Sequence, residues 1–537
     1  MRLSKISPFR RTSFQPVLES VEHRFLLTAS GAADVLTYHN DNARTGQNLH
    51  ETILNPSNVN PTDFGKIFHD TTDGAVYGQP LYKANVSIPG KGVHNVVYVA
   101  TEHDSVYAFD ADTPGPALWQ VSFINAAAGV SPVPAIKPWQ LDLTPEAGIT
   151  GTPVIDPSTG TLYVAAKTQM TTSVGTKYDY RLHALDVSTG VEKFGGPVVI
   201  HPSVPGRGVG HVRGTVTFQA EFQLQRPALL LENGVVYVAF GSLGDHGPYH
   251  GWVVGYDARN LKQVAVFNDS PNSNDPTGNH GGIWMSGGGP AADTSGNLYL
   301  LTGSGQFNPA RNVGSYGDAA LKLTPSLKVA DYFAPQNTSR LDARDLDLGS
   351  GGVTLVPTSP GSSTKLLLGG GKLGTLFAIK TGSMGHQGKK NSNVQLVQVS
   401  SQPIYGSAAY FNGSVYINPI SDVLKQYQIV NGQLVGPTAI APGKPFNFPG
   451  ANLSVSAEGI KNAIVWSLES KGSHGVSGGA VLHAYSAANV SQELYNSDQS
   501  GNRDQPGTAV KFAVPTVANG KVYVVNQSGF TVYGLLK

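Results

Sequence analysis

The chain has 537 residues, a formal net charge of +1 and 14% charged residues, a balance that offers no global field for nucleic acid or an acidic membrane surface. Cysteine is absent, which excludes disulfides, thiolate metal sites and cysteine nucleophiles together. The 64 glycines and 35 prolines suit an all-β body with many tight turns.

Residues 1–30, MRLSKISPFRRTSFQPVLESVEHRFLLTAS, place basic residues early and small residues late, without the long apolar core of an ordinary signal peptide. They contain Leu18–Glu19, Glu22, Arg24 and Leu26–Leu27–Thr28–Ala29. This stretch resembles the LEPR-x-LL amino-terminal signature of large surface and secreted proteins of planctomycete-type bacteria. The resemblance implies an export or sorting segment and an extracellular, periplasmic or cell-surface location. No segment reaches the ~18 apolar residues that span a bilayer, so export without a membrane anchor is the expectation. The basic pairs Arg10–Arg11 and Lys389–Lys390 lack a clustered continuation and read as solvated tail and loop.

Residues 31–63 follow as a polar arm. Its centre, VLTYHNDNARTGQNLHETIL (35–54), is rich in Asn, Asp and Thr. It suggests an extended segment laid across one face of the body, placed to cover a channel, rather than an independent domain.

From residue 64 to the end a motif recurs eight times. The clearest copy is VYVATEHDSVYAFDADT, from Val97 to Thr113. Later copies begin at Leu162, Val236, Leu298, Leu366, Val415, Ile464 and Val522. Tyr98, Tyr163, Tyr237, Tyr299, Leu367, Tyr416, Val465 and Tyr523 hold equivalent positions, 49 to 74 residues apart. Each copy alternates apolar and polar residues with period two, the mark of a half-buried strand. A further short strand ending in a turn residue precedes each copy, as in GQPLYKANV and RPALLLENG. The order "inner strand, turn, VYV strand, turn, YALD-like strand" describes a propeller blade, and eight blades close a ring without exposed edges. The last copy leaves no room for an outer strand after Leu535, and FGKIFH (Phe64 to His69) alternates suitably to complete that blade. The equivalent tyrosines read as blade core, with any surplus hydroxyl free to bond between blades.

These blade motifs resemble the repeats of the quinoprotein alcohol dehydrogenase-like superfamily, whose eight-bladed propellers carry pyrroloquinoline-quinone (PQQ) repeats. The resemblance implies an all-β propeller over 64–537. For its enzymes it implies PQQ and Ca²⁺ near the ring axis, a carboxylate base and a Lys or Arg on the quinone. The fifth-blade segment RDLDLGSGGV (344–353) resembles the one that delivers the base, which places Asp347 there with Asp345 nearby. GGGKLGTLFAI then puts Lys372 at the quinone-binding position. The metal positions depart from the family pattern. Where a Glu ligand stands in blade three this chain has His246, with Asp245 adjacent, and where an Asn ligand stands in blade four it has Ser304. The candidate metal set is therefore Asp245, His246, Ser304 and Asp347. Gly289 replaces the family's stacking Trp, so Trp284 reaches such a site only by a different path.

Two other readings stand beside the dehydrogenase. The superfamily includes cofactor-free propellers, so the leading expectation is an exported module that binds or scaffolds at the cell envelope, its partner a small molecule, a protein or a glycan. The other is a metal- or glycan-binding enzyme on the His-rich loops of blades three and four, with His246, His250, His280, Asp245 and Asp275, and with His211 and Arg213 at the same mouth. Patterns for zinc proteases, P-loops and EF-hands are absent.

Overall fold

Val, Tyr, Leu and Ile at successive positions of the motif make strands whose two faces pack against neighbouring sheets. In the computed structural model those strands form eight four-stranded antiparallel blades. The structure describes residues 34–536 apart from 138–142, 276–277, 279, 310–313, 389–391 and 474–475, and residues 32–537 make one compact unit. The leader segment and both basic pairs lie outside the described residues.

Blade 1 runs outward through Leu81–Ile88, Gly92–Ala100, Ser105–Asp110 and Trp119–Ser122. Blade 5 repeats the pattern with Val353–Pro357, Lys365–Gly370, Thr375–Lys380 and Val394–Gln398. In the last blade, Thr516–Ala518, Lys521–Asn526 and Gly529–Leu535 are completed by Phe64–Thr71, with Phe64 opposite Leu535 and Thr71 opposite Gly529. The strand before the first blade thus joins the two ends of the repeat region and removes an open edge. Phe64 packs there against Trp466, Tyr495 and Tyr533.

The equivalent tyrosines show how adjacent blades are tied. All are buried, and five of their hydroxyls donate to a backbone carbonyl of the next blade. Tyr98 reaches Val187, Tyr163 reaches Ala258 and Tyr237 reaches Pro325. Tyr416 reaches Ala487, and Tyr523 reaches Ala111 across the ring seam. Each such bond contributes about 1 kcal/mol and satisfies a carbonyl that burial would otherwise strand. Tyr299 instead bonds Asp293 of its own blade at 2.9 Å.

The polar arm does not simply lie over a face. It runs inside the ring as a strap that visits the inner strands in blade order. Val35 exchanges both backbone bonds with Tyr82 of blade 1, and Leu36 O accepts from Ile155 N of blade 2. Asn42 Nδ2 donates to Leu231 O of blade 3. The carbonyls of Asn42, Ala43, Thr45 and Gly46 accept from Ala292, Leu355, Tyr410 and Val455 of blades 4 to 7. Gln47–Asn48 pairs parallel with Leu453–Glu458 of blade 7, and Asn48 Nδ2 reaches Val517 O of blade 8. A short segment thereby supplies hydrogen bonds to inner-strand edges that the blades leave unpaired. Among the described residues, the single α-helix covers Thr338–Asp342 and no helix is long and apolar enough to cross a membrane.

Candidate functional site

The residues singled out in blade 5 lie just before its inner strand, at the mouth of the axis. Asp345 has a left-handed backbone (φ 52°), and Asp318 of blade 4 fixes the next turn by accepting Leu348 N at 2.9 Å. Lys372, in the turn between the second and third strands, donates its backbone N–H to Asp347 O at 2.9 Å. Its ammonium stands 2.6 Å from Asp347 Oδ2 and 2.8 Å from Asp345 Oδ1. Burial works to lower the Lys372 pKa, but the two carboxylates outweigh it and hold the group above its ordinary value. The other oxygen of Asp347 accepts the Ser304 backbone N–H at 2.7 Å.

Asp347, Lys372 and Ser304 therefore converge, with Ser304 giving its backbone N–H to the carboxylate. Asp245 accepts from the Ser242 hydroxyl at 2.9 Å. The protein packed around its carboxyl, and the like charges of Asp347 and Asp345, push its pKa up. The two loops thus share one electrostatic site.

Trp284 forms a wall of this site and arrives from the connection between blades 3 and 4. Its indole N–H donates to Ser242 O at 3.0 Å, and its ring lies flush on the backbones of Gly241, Gly282 and Gly303. A Cβ on Gly303 would fall 2.3 Å from Trp284 Cζ3 and 2.9 Å from Asp347 Oδ1, so glycine there lets the indole approach the carboxylate. Asp269 supports the arrangement from behind. It accepts from Gly251 N at 3.0 Å, Gly282 N at 2.9 Å and the Ser270 hydroxyl at 2.8 Å. Burial raises its pKa to about 6 against those donors.

The far rim is aromatic. Ile404 N donates to Gly371 O at 3.1 Å, which sets the neighbouring Tyr405 beside Lys372. Tyr405, Phe448 and Phe512 pack with ring centroids 5.3 to 6.3 Å apart, each partly exposed. Phe512 has a left-handed backbone (φ 67°), a strained state for a bulky residue. The buried Arg226 guanidinium lies 5.0 Å from its ring. Glu102 of blade 1 is buried nearby and accepts from Gly148 N at 2.7 Å and the Thr150 hydroxyl at 3.1 Å. Burial raises its pKa to about 7.

The His-rich loops do something different. His250 is buried, with Nδ1 2.9 Å from the Ser270 hydroxyl and Nε2 3.0 Å from Val209 O. Burial lowers its pKa to about 4 and leaves it neutral near pH 7. His246 is exposed and packs edge-on against Phe222, while His280 packs on Tyr249. Among the described residues, no three His, Asp or Glu side chains are grouped as a metal shell. Of the candidate set, Asp347 is bonded to Lys372 and Ser304 N, while His246 packs on Phe222.

Sequence reasoning missed Asp318, Asp269, Glu102 and the Tyr405–Phe448–Phe512 rim. Tyr405, Phe448 and Phe512 each stand a few residues before an inner strand, whereas Glu102 and Asp318 lie in the connections between the second and third strands of blades 1 and 4.

No family model matches the chain, and no curated protein matches it by sequence. Solved structures do resemble it. The quinohemoprotein alcohol dehydrogenase of Comamonas testosteroni is 16% identical over 94% of this chain and 80% of its own, with a TM-score of 0.61. A europium-containing methanol dehydrogenase is 14% identical over 95% of this chain and 99% of its own, also at 0.61. The quinohemoprotein alcohol dehydrogenase of Pseudomonas putida HK5 is 14% identical over 94% and 80%, at 0.59. At such identities the likeness is one of fold.

Proposed function

We propose that this propeller is an exported binding protein whose axial mouth takes a small hydroxylated molecule. The ligand lies between Trp284 and the Tyr405–Phe448–Phe512 rim and meets the Lys372–Asp347 pair. The observation that carries this reading is the convergence of Trp284, Asp347 and Lys372 from separate loops of one axial mouth. Aromatic faces supply apolar contact to C–H surfaces of a ligand. The ammonium donates to hydroxyls, and each carboxylate oxygen keeps a second lone pair to accept from them.

The second reading is a PQQ-dependent alcohol or sugar dehydrogenase with Asp347 as base and Lys372 on the quinone. The approach of Lys372 to within 2.6 Å of Asp347 favours it, as does the fold shared with dehydrogenases. The residues present do not fit a quinone held with Ca²⁺. Ca²⁺ takes six to eight oxygens, whereas Asp347 already accepts from an ammonium and an N–H and His246 stands where a carboxylate would be needed.

The test is equilibrium binding to a panel of monosaccharides, polyols and short alcohols, with PQQ added alone and together with Ca²⁺. Binding of a hydroxylated ligand that Trp284→Ala and Asp347→Asn abolish is expected. No binding anywhere in the panel at millimolar concentration sinks the proposal. Tight PQQ binding with dye-linked turnover lost in Asp347→Asn replaces it with the dehydrogenase.

A further inference from the structure

Trp284 is followed by Met285 and Ser286, whose φ angles are 43° and 46°. Neither residue is glycine, and such strained conformations persist only where the surroundings over-determine them. The surroundings here are specific. The Ser286 hydroxyl donates to Ser350 O at 2.6 Å, Gly288 N to Met285 O at 2.8 Å, and Ala228 N to Gly287 O at 3.2 Å. Beyond them the strap intervenes through one side chain. Arg44 Nε donates to Pro290 O at 3.0 Å and Nη2 to Leu229 O at 3.1 Å. Its Nη1 donates to the Thr37 hydroxyl at 2.7 Å and to Tyr38 O at 2.9 Å.

Pro290 leaves the strained turn and Leu229 adjoins the residue that bonds Gly287. The guanidinium therefore clasps the turn from the side away from Trp284. It is fully buried, and a flat group with several fixed donors is what spans three carbonyls and a hydroxyl at once. A Cβ on Gly289 would fall 3.0 Å from Arg44 Nη2. The glycine that stands where the family places its stacking Trp is thus the space the strap's arginine uses.

We propose that Arg44 is a positioning residue for the axial pocket: the strap holds the turn 285–290 and so sets Trp284 against Asp347. The inference rests on the reading of Trp284 as a pocket wall, but its test needs no ligand.

Acrylamide quenching and the emission maximum of Trp284 are measured by difference between each variant and the same variant carrying Trp284→Phe. Arg44→Lys and Arg44→Met are expected to make Trp284 more quenchable and shift its emission to the red below the melting temperature. Asn42→Ala removes a strap bond to Leu231 O and Glu232 that lies off the turn. It is expected to lower thermal stability without altering Trp284. Ser286→Ala, which cuts another anchor of the same turn, is expected to match Arg44→Lys. Unaltered Trp284 quenching in Arg44→Lys and Ser286→Ala overturns the proposal, as does an equal rise in Asn42→Ala. Arg44→Lys keeps the charge and remains the deciding variant if Arg44→Met does not fold. A panel without any ligand would remove the proposed function and leave this readout standing.

Discussion

The axis of the ring carries two sets of polar side chains, treated in opposite ways. Along the strap, Arg44, Tyr38 and His39 are sealed among the inner strands, with Arg44 and His39 0% exposed. Their bonds run to carbonyls and hydroxyls: Arg44 to four oxygens, Tyr38 to the Ser407 hydroxyl, His39 Nδ1 to Arg44 O. Burial pushes the His39 pKa down to about 3, so it stays neutral. At the mouth, Lys372, Asp345 and Asp347 are bonded chiefly to one another, and the Asp345 side chain is 67% exposed. Polar groups of the first set complete the main chain and belong to folding. Charges of the second set have solvent beside them and remain able to exchange partners, which is what recognition requires.

The largest effect is expected where the comparison is sharpest. Arg44→Met leaves the carbonyls of Pro290 and Leu229 buried without partners and should cost on the order of 3 kcal/mol or more, read by chemical denaturation. Glu102 tests the mouth by pH. Its pKa is raised on folding from 4.5 to about 7, so the folded state holds its proton more tightly than the unfolded chain. That contribution to stability is complete at the acid end and falls as pH rises from about 4.5 to 7. Glu102→Gln should remove this slope, a difference on the order of 1–3 kcal/mol across the window. An identical pH profile in the variant would place the Glu102 carboxyl outside the buried set.

Lys372→Met should cost about 1–2 kcal/mol, because Asp347 keeps the Ser304 N–H and some access to water, while ligand binding is lost. A loss as large as that of Arg44→Met would break the distinction between the two sets. Tyr163→Phe deletes one blade-to-blade bond and should cost about 1 kcal/mol. Asp345→Asn, at the exposed end of the ion pair, should change stability by about 0.5 kcal/mol or less.

How far the sequence could be read differs between these regions. The consecutive apolar runs VYVA and VYAF in VYVATEHDSVYAFD name a blade, because both faces of a propeller strand are buried against neighbouring sheets. Asp347 and Lys372 are singled out only through the resemblance of RDLDLGSGGV and GGGKLGTLFAI to the quinoprotein repeats, the first just before an inner strand and the second in the turn between the second and third strands. Trp284 was not placed, because the left-handed turn at Met285–Ser286 redirects the chain and nothing in WMSGGG announces it. The strap was read as a polar arm over one face. Its partners are backbone groups of eight strands far apart in sequence, and bonding to backbone imposes no side-chain pattern.

By itself the sequence determined the eight-bladed ring and its closure by the strand that begins FGKIFH at Phe64. These follow from local periodicity, which depends on near neighbours in the chain. Only the tertiary structure decided that Arg44 fills the space beside Gly289, that Trp284 lies on Gly303 next to Asp347, and that Lys372 pairs with that carboxylate. Each of these is a contact between segments hundreds or tens of residues apart, and it exists only once the ring brings its inner strands to one axis.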